Sequence, residues 1–331
     1  MKTQRIILTG AAGFIGSHTG EALLARGCDV LGLDNFDPFY NRALKEQNVA
    51  ACHAAAERHG SRFEMREVDL ADDAALRSQA EWFDADGIIH LAAKAGVRPS
   101  RLDPEGYARA NVVGTTNVLE LASQLGVHRV VAASSSSVYG DTSPVPFSES
   151  RPADEPISPY AATKRACELI GYTHHHLTGR PVAMLRFFTV YGPRQRPDLA
   201  INLFLRKIAA GEPIQMFGDG STSRDYTYID DIVAGVLAAY DRIDAHGYRV
   251  WNLGGSSPVR LDELIGAVGE TVGREPQVVQ KPIPPGDVRR TWADLDRSGA
   301  ELGFEPGTAL ADGLARQWAW MRDRVTAPTG S

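Results

Sequence analysis

Cysteine is scarce in this chain, and positive charge has no surplus. Three cysteines among 331 residues, Cys28, Cys52 and Cys167, are odd in number and lack metal-type spacing. A disulfide framework and a cysteine-rich metal site are therefore excluded, and a reduced compartment, the cytoplasm, is expected. The 35 basic residues against 41 acidic ones give a net charge of -6. That argues against a general nucleic-acid binder, while leaving room for a local basic cleft that takes a phosphorylated ligand. No apolar run approaches the roughly 18 residues that a membrane-spanning helix needs. Repeats and low-complexity segments are absent too. Met1-Lys-Thr-Gln-Arg runs straight into Ile6-Ile7-Leu8, a buried-strand pattern rather than a signal peptide. His174-His175-His176 is the one tract that suggests a metal. Consecutive helical positions point in different directions and no cysteine or carboxylate cluster completes a site, so it reads as a solvated helix face with no metal.

Apolar content of 43% is ordinary for a globular protein, and the length suffices for one large domain or two joined ones. Short apolar runs alternate with helical patterns in the first half. The runs at Arg5–Thr9, Asp29–Asp34, Arg62–Asp69, Gly87–Ala92, Arg129–Ser134 and Pro181–Phe188 predict strands. Continuous apolar strands separated by helices imply a parallel sheet covered on both faces, an α/β Rossmann-type doubly wound architecture. Helices are predicted at Pro104–Leu125 and Ser158–Leu177, each with apolar positions on more than one face, which core packing explains in part and a helix-to-helix homodimer contact would explain in the remainder. After Val190 the chain becomes loop-rich, with Tyr191-Gly-Pro-Arg-Gln-Arg-Pro197, Phe217-Gly-Asp-Gly220 and Lys281-Pro-Ile-Pro-Pro-Gly286. A helix at Tyr228–Tyr240 and a strand at Arg249–Leu253 are expected to return to the first domain. The division expected is 1–189 plus about 226–255 for a dinucleotide-binding domain, and about 190–225 plus 256–325 for a smaller, discontinuous α/β substrate domain.

Thr9-Gly-Ala-Ala-Gly-Phe-Ile-Gly16 follows the first strand and opens the first helix. Gly10 and Gly13 let the backbone approach a pyrophosphate at the helix N-terminus, and Gly16 lets helix and strand pack closely. The alternative is an ordinary glycine-rich turn. Asp34, ending the second strand, weakens it: a carboxylate there accepts from a ribose diol and repels a 2′-phosphate, favouring NAD over NADP. Asp69-Leu70 falls where an adenine edge would lie, and Leu91-Ala-Ala-Lys94 is small enough for backbone to run along a dinucleotide.

Tyr160 and Lys164 stand four apart at the start of a helix, on one face. The ammonium can favour the tyrosinate form, and a hydroxyl from the run Ser134–Ser137 can share an alcohol proton. This is an arrangement for general acid–base work on a carbinol.

TGAAGFIG, the serines before Val138-Tyr139-Gly140, YAATK, LRFFTVYGP and the segment GDGSTSRDYTYIDD at 218–231 together resemble the extended short-chain dehydrogenase/reductase family, within it the nucleotide-sugar 4-epimerases. The likeness spans nearly the whole chain. Residues 34–41, 91–98, 134–140 and 187–198 lean towards members acting on UDP-glucuronate. One departure is Lys94, where the family usually carries glutamine. The resemblance implies a tightly held, recycled NAD contacted by Gly10, Gly13, Phe14, Ile15, Gly16, Asp34, Asn35, Asp69, Leu70, Leu91, Ala92, Ala93, Asn111, Tyr160 and Lys164. It makes Tyr160 the base at the sugar 4-hydroxyl, Lys164 its partner and Ser135 the assisting hydroxyl. Arg224 is implied at the pyrophosphate, Phe217 on the uracil and Asp287 on the uridine side. Arg98, Ser136, Ser137 and Thr189 complete the sugar contacts, with Arg194 or Arg196 facing a carboxylate.

The family's dehydratases carry acidic residues just before Val-Tyr-Gly, and its UDP-xylose-forming decarboxylase has a glutamate there. Ser136 and Ser137 occupy those positions here. The reaction implied is C4 epimerisation of a UDP-sugar, UDP-glucuronate to UDP-galacturonate, through a 4-keto sugar. The rival readings are UDP-glucose or UDP-N-acetylglucosamine as substrate, decarboxylation, and a non-catalytic NAD sensor.

Overall fold

Ile6, Ile7 and Leu8 are fully buried yet belong to two apolar clusters, Ile6 and Leu8 on one face of a sheet and Ile7 on the other. The pairs Ile88/Ile89 and Val130/Val131 divide in the same way. A continuous apolar run is what a strand needs when both its faces are covered. The chain is described here from a computed structural model covering residues 3–282 and 288–325. Asp287 lies outside the described residues.

The large sheet contains β1 (Arg5–Thr9), β2 (Asp29–Asp34), β3 (Phe63–Glu67), β4 (Gly87–His90), β5 (Arg129–Ser135) and β6 (Val182–Phe187). Beyond them come β7 (Thr189–Tyr191), β8 (Ile214–Phe217), β9 (Ser223–Tyr228), β10 (Tyr248–Leu253), β11 (Pro258–Arg260) and β12 (Val278–Lys281). The sheet order is β10-β6-β5-β4-β1-β2-β3, parallel throughout. The order turns back between β1 and β4, which opens a crevice beyond their carboxyl ends, where open α/β sheets bind ligands.

Helices α1 (Phe14–Ala25), α2 (Arg42–His59) and α3 (Asp73–Ala80) separate the first four strands. After β4 come the short α4 (Val97–Ser100) and α5 (Pro104–Tyr107), a π-helical stretch at Ala108–Val113, and α6 (Gly114–Gln124). The single helix expected over 104–125 is thus interrupted. The wide turn carries Asn111, whose amide bonds Lys94 and Thr163, and such turns recur where a side chain must be aimed. Helix α7 (Pro159–Thr178) opens on Ser158, whose hydroxyl accepts from Ala161 N, and stops at Gly179 with φ +68°. The remaining helices are α8 (Ala200–Ala210), α9 (Ile229–Arg242), α10 (Leu261–Val272), α11 (Asp296–Leu302) and α12 (Leu310–Val325).

Helix α9 and strand β10 follow the loop-rich stretch yet join the large sheet, β10 pairing β6 from Tyr248–Val182 to Leu253–Phe187. Two small sheets, β11-β9-β7 and β12-β8, lie apart from it. The histidine tract departs from the solvated face expected. His174 is buried and the His175 Nδ1 lies 2.8 Å from the Arg180 carbonyl, leaving only His176 exposed. Packing of α7 against α6 and β6 covers successive positions unequally.

Candidate active site

A cleft of about 500 Å³ runs along the carboxyl ends of β1, β2, β4 and β5 and reaches the start of α7. Its floor is the turn after β1. Gly10 has φ +71°, and a Cβ there would stand 2.7 Å from the Ala92 nitrogen. Glycine is therefore required both for the backbone angle and for the close pass of the 91–93 segment. Gly13 caps α1 without a side-chain acceptor, so the first helical amides are left to an anion. These features fit a dinucleotide pyrophosphate. Asp34, buried at the end of β2, accepts from Phe36 N at 2.8 Å and lies 3.5 Å from the Lys45 ammonium. Phe14, Ile15, Gly16, Asn35, Asp69, Leu70, Leu91, Ala92 and Ala93 also line the cleft.

At the other end stand Tyr160, Lys164 and Ser134 to Ser137. Lys164 is buried and donates to the Ala133 carbonyl at 2.9 Å, which ties α7 to the end of β5. The Ser135 hydroxyl accepts from Ser137 N at 3.2 Å and from the Ser137 hydroxyl at 2.9 Å. Tyr107 meets Tyr160 edge-on, with ring centroids 6.2 Å apart. Thr163 donates to the Tyr160 carbonyl and accepts from Asn111, which also grips the backbone of Lys94 through both its amide atoms. Asn111 thus ties the segment after β4 to the start of α7.

The arginines separate. Arg196 lines the cleft, pairs with Asp198 at 2.7 Å and donates to the Ala95 carbonyl at 3.2 Å. Arg194 does not line it. At φ +65° its guanidinium turns onto α1, to Glu21 at 2.6 Å and the Ser17 hydroxyl at 3.3 Å. Thr189 and Arg224 lie on the cleft wall. Arg98 and Phe217 do not; instead the Arg98 guanidinium stacks on the Phe217 ring at 4.5 Å, joining α4 to β8.

Residues not singled out from the sequence also reach the site. Asp37, Phe39, Tyr40 and Lys45 line the cleft from the loop after β2 and the start of α2. Lys94 bonds Asp103 at 2.7 Å and faces Asp37 at 3.9 Å, while Arg196 covers Phe39 at 5.0 Å. Beneath the serines, Glu168 is fully buried against Arg186 and Ser134. Its spacing, four beyond Lys164 and eight beyond Tyr160, is the signal that could have found it. Among the described residues no group of three or more His, Cys, Asp or Glu is arranged to hold a metal.

A family model described as "NAD dependent epimerase/dehydratase family" matches residues 6–254. The chain is 39% identical over 320 residues to a UDP-glucuronate 4-epimerase of Thermodesulfobacterium geofontis, covering 96% of each. It resembles the structure of a UDP-glucuronic acid 4-epimerase from Bacillus cereus in complex with UDP-glucuronic acid and NAD, with a TM-score of 0.88, 33% identity, and coverage of 97% of this chain and 100% of that one. It is also similar to a UDP-glucose 4-epimerase with UDP-glucose from Thermotoga maritima, with a TM-score of 0.87, 29% identity and coverage of 97% and 100%.

Proposed function

The chain belongs to the NAD dependent epimerase/dehydratase family, and from that premise we propose that it epimerises UDP-glucuronate at C4 to give UDP-galacturonate. One observation carries the choice of reaction. Among the described residues the carboxylates lining the cleft are Asp34, which ends β2, and Asp37 and Asp69, which follow β2 and β3, whereas the lining after β5 is Ser134 to Ser137. Dehydration needs a further acid or base beside the sugar, and a decarboxylase needs a proton donor there for the enolate that loss of carbon dioxide leaves. Epimerisation needs only Tyr160.

Gly10, Gly13 and the open amides of α1 would hold the cofactor pyrophosphate, with Asp34 at the adenosine ribose. Bound NAD supplies a reversible hydride acceptor. Tyr160 takes the proton from the sugar 4-hydroxyl and later returns it. Lys164, fixed on the Ala133 carbonyl, keeps positive charge beside that oxygen. Ser135 holds the 4-oxygen while the proton moves. The 4-keto sugar would turn over after its 4-hydroxyl proton and C4 hydride have left and before they return, so that hydride would reach C4 from the opposite face.

A 4-keto glucuronate is a β-keto acid and loses carbon dioxide when its carboxylate bond aligns with the carbonyl π system. Arg196, with Thr189, Ser136 and Ser137, would hold the carboxylate near the carbonyl plane. Arg224 would meet the pyrophosphate of UDP. Phe217 would pack on the uracil, Asp287 would lie on the uridine side, and Arg98 would be a further substrate contact.

The same reading divides the chain into an NAD-binding part, 1–189 plus about 226–255, and a UDP-sugar-binding part, about 190–225 plus 256–325. It makes the protein a cytoplasmic homodimer. Supporting it, the three cysteines are unpaired and buried, and Leu169, Tyr172 and Leu177 of α7 are exposed. No described helix is long and apolar enough to cross a membrane.

The test is product analysis on UDP-glucuronate without added NAD, beside UDP-glucose and UDP-N-acetylglucosamine. UDP-galacturonate is expected, with kcat/KM highest for the carboxylated sugar. UDP-xylose as main product, or equal use of the neutral sugars, would overturn the proposal. Tyr160→Phe should keep NAD and slow turnover by orders of magnitude.

A further inference from the structure

Helix α7 continues the stripe that begins with Tyr160 and Lys164. The next position on it is Glu168, four residues on and fully buried. Its carboxylate accepts from the Ser134 hydroxyl at 2.6 Å, from Arg186 Nε and Nη2 at 2.7 and 2.8 Å, and from Arg165 at 3.0 Å. Ser134 and Arg186 are cross-strand neighbours in the β5–β6 register, and the next pair is Ser135 and Phe187. Phe187 and Ser135 both line the cleft. One side chain thus binds two strands at the step directly below the reacting hydroxyl.

Arg186 extends the bracing. Its guanidinium lies 4.6 Å from the centre of the Tyr139 ring, and Tyr139 donates to Asn252 at 2.8 Å. Tyr139 ends the short turn that carries Ser136 and Ser137. Burial alone would drive the Glu168 carboxyl up, but Arg186 and the Ser134 hydroxyl outweigh it and hold the group below the usual carboxylate range. The site is therefore built around a charged Glu168.

The geometry points to Glu168, acting through Ser134, as a positioning residue that sets the distance between the Tyr160–Lys164 pair on α7 and the Ser135 hydroxyl on β5. The acid–base groups come from a helix and a strand with no covalent link shorter than the 135–160 segment. Lys164 supplies one tie between them at Ala133, and Glu168 supplies the second at Ser134. Two ties fix both the height and the tilt of the helix over the strand; one leaves a pivot. Misplacing reacting groups by about 1 Å can slow a reaction about 100-fold without changing binding.

This inference rests on the roles given above to Tyr160, Lys164 and Ser135. The test measures kcat, KM for UDP-glucuronate, NAD content and Tm in Ser134→Ala, Ser134→Thr and Glu168→Gln, with Tyr160→Phe alongside. Ser134→Ala removes one bond and leaves the Glu168–Arg186 pair intact. It should lower kcat about tenfold while KM and NAD content stay within about twofold. Ser134→Thr keeps a hydroxyl and should recover most of that loss. Glu168→Gln, normalised to enzyme that retains NAD, should fall further in kcat than Ser134→Ala. A merely structural Glu168 would lower Tm and leave kcat per NAD-loaded molecule unchanged in all three, and that result overturns the inference. If Tyr160→Phe itself turns over normally, the underlying mechanism fails instead.

Discussion

Lys94 and Asp37 face each other at 3.9 Å, joining the segment after β4 to the loop after β2. Strand β1 lies between β4 and β2, so this pair bridges the glycine turn that cradles the cofactor. Asp103 fixes the same ammonium from the other side at 2.7 Å, and Tyr107 lies under it at 5.8 Å. A glutamine, the residue expected from the resemblance, would keep a hydrogen bond and lose the charge.

Lys94→Gln should therefore release NAD faster. The pair is partly exposed and contributes roughly 0.2–1 kcal/mol, which corresponds to about a 1.4- to fivefold change. Salt screens such a contact. The release rate of the parent enzyme, followed by loss of bound NAD after dilution, should rise with ionic strength more steeply than that of Lys94→Gln. Identical rates and salt slopes would show that the bridge does not restrain the loop.

Arg196 and Arg194 should differ sharply as alanine variants. Arg196 stands on the cleft wall, so Arg196→Ala should cost about 2–3 kcal/mol in kcat/KM for UDP-glucuronate, some 30- to 150-fold, and far less for UDP-glucose. Arg194 pairs with Glu21 on α1. Arg194→Ala should lower Tm and leave the preference for the carboxylated sugar unchanged. Equal losses of that preference would mean both arginines face substrate.

The two arginines also show where the sequence could be read and where it could not. Motif spacing places Gly10, Asp34, Tyr160 and Lys164 because each depends on a local turn, a strand end or a helical repeat. Arg194 and Arg196 sit two apart in one loop, and only the left-handed φ of Arg194 sends one onto α1 and leaves the other in the cleft. The strands were legible from their apolar runs, whereas the π-helical interruption around Asn111 depends on bonds to Lys94 and Thr163, which are distant in sequence. His174 was misread because its burial comes from helices packed on α7, and no local pattern records that.

Acid should destabilise the fold through His90. Burial, helped by the positive charge of Lys164, lowers its pKa to about 3, and its ring nitrogens lie 2.7 Å from the Thr9 hydroxyl and 3.0 Å from that of Thr115. The unfolded chain takes up a proton near pH 6.5, so below that pH it binds more protons than the native state and stability falls. At pH 5 the loss is about 2 kcal/mol. Asp225, pushed up to about 6 chiefly by burial, works oppositely, because its stabilising share declines as pH rises from about 4 to 6. Comparing the parent with His90→Gln cancels Asp225. The drop in Tm between pH 6.5 and 5 should be smaller in His90→Gln, and parallel curves would clear His90.

Association should depend on α7. Leu169 and Tyr172 are 54% and 51% exposed one turn apart, and Val113, on the 108–113 segment that packs against α7, is 43% exposed. The Tyr172 ring stacks on His176 at 6.2 Å, which extends the same stripe. Large exposed apolar side chains on packed helical segments are the surface a two-fold partner would cover, since a self-complementary patch meets its own copy. Two glutamates there would be desolvated against like charges across the axis. In solution, light scattering of the parent should give twice the chain mass of 35.8 kDa. Leu169→Glu with Tyr172→Glu should halve that mass while NAD stays bound, because neither residue lines the cleft. A parent that is already monomeric, or a double variant that stays dimeric, places the contact elsewhere or removes it.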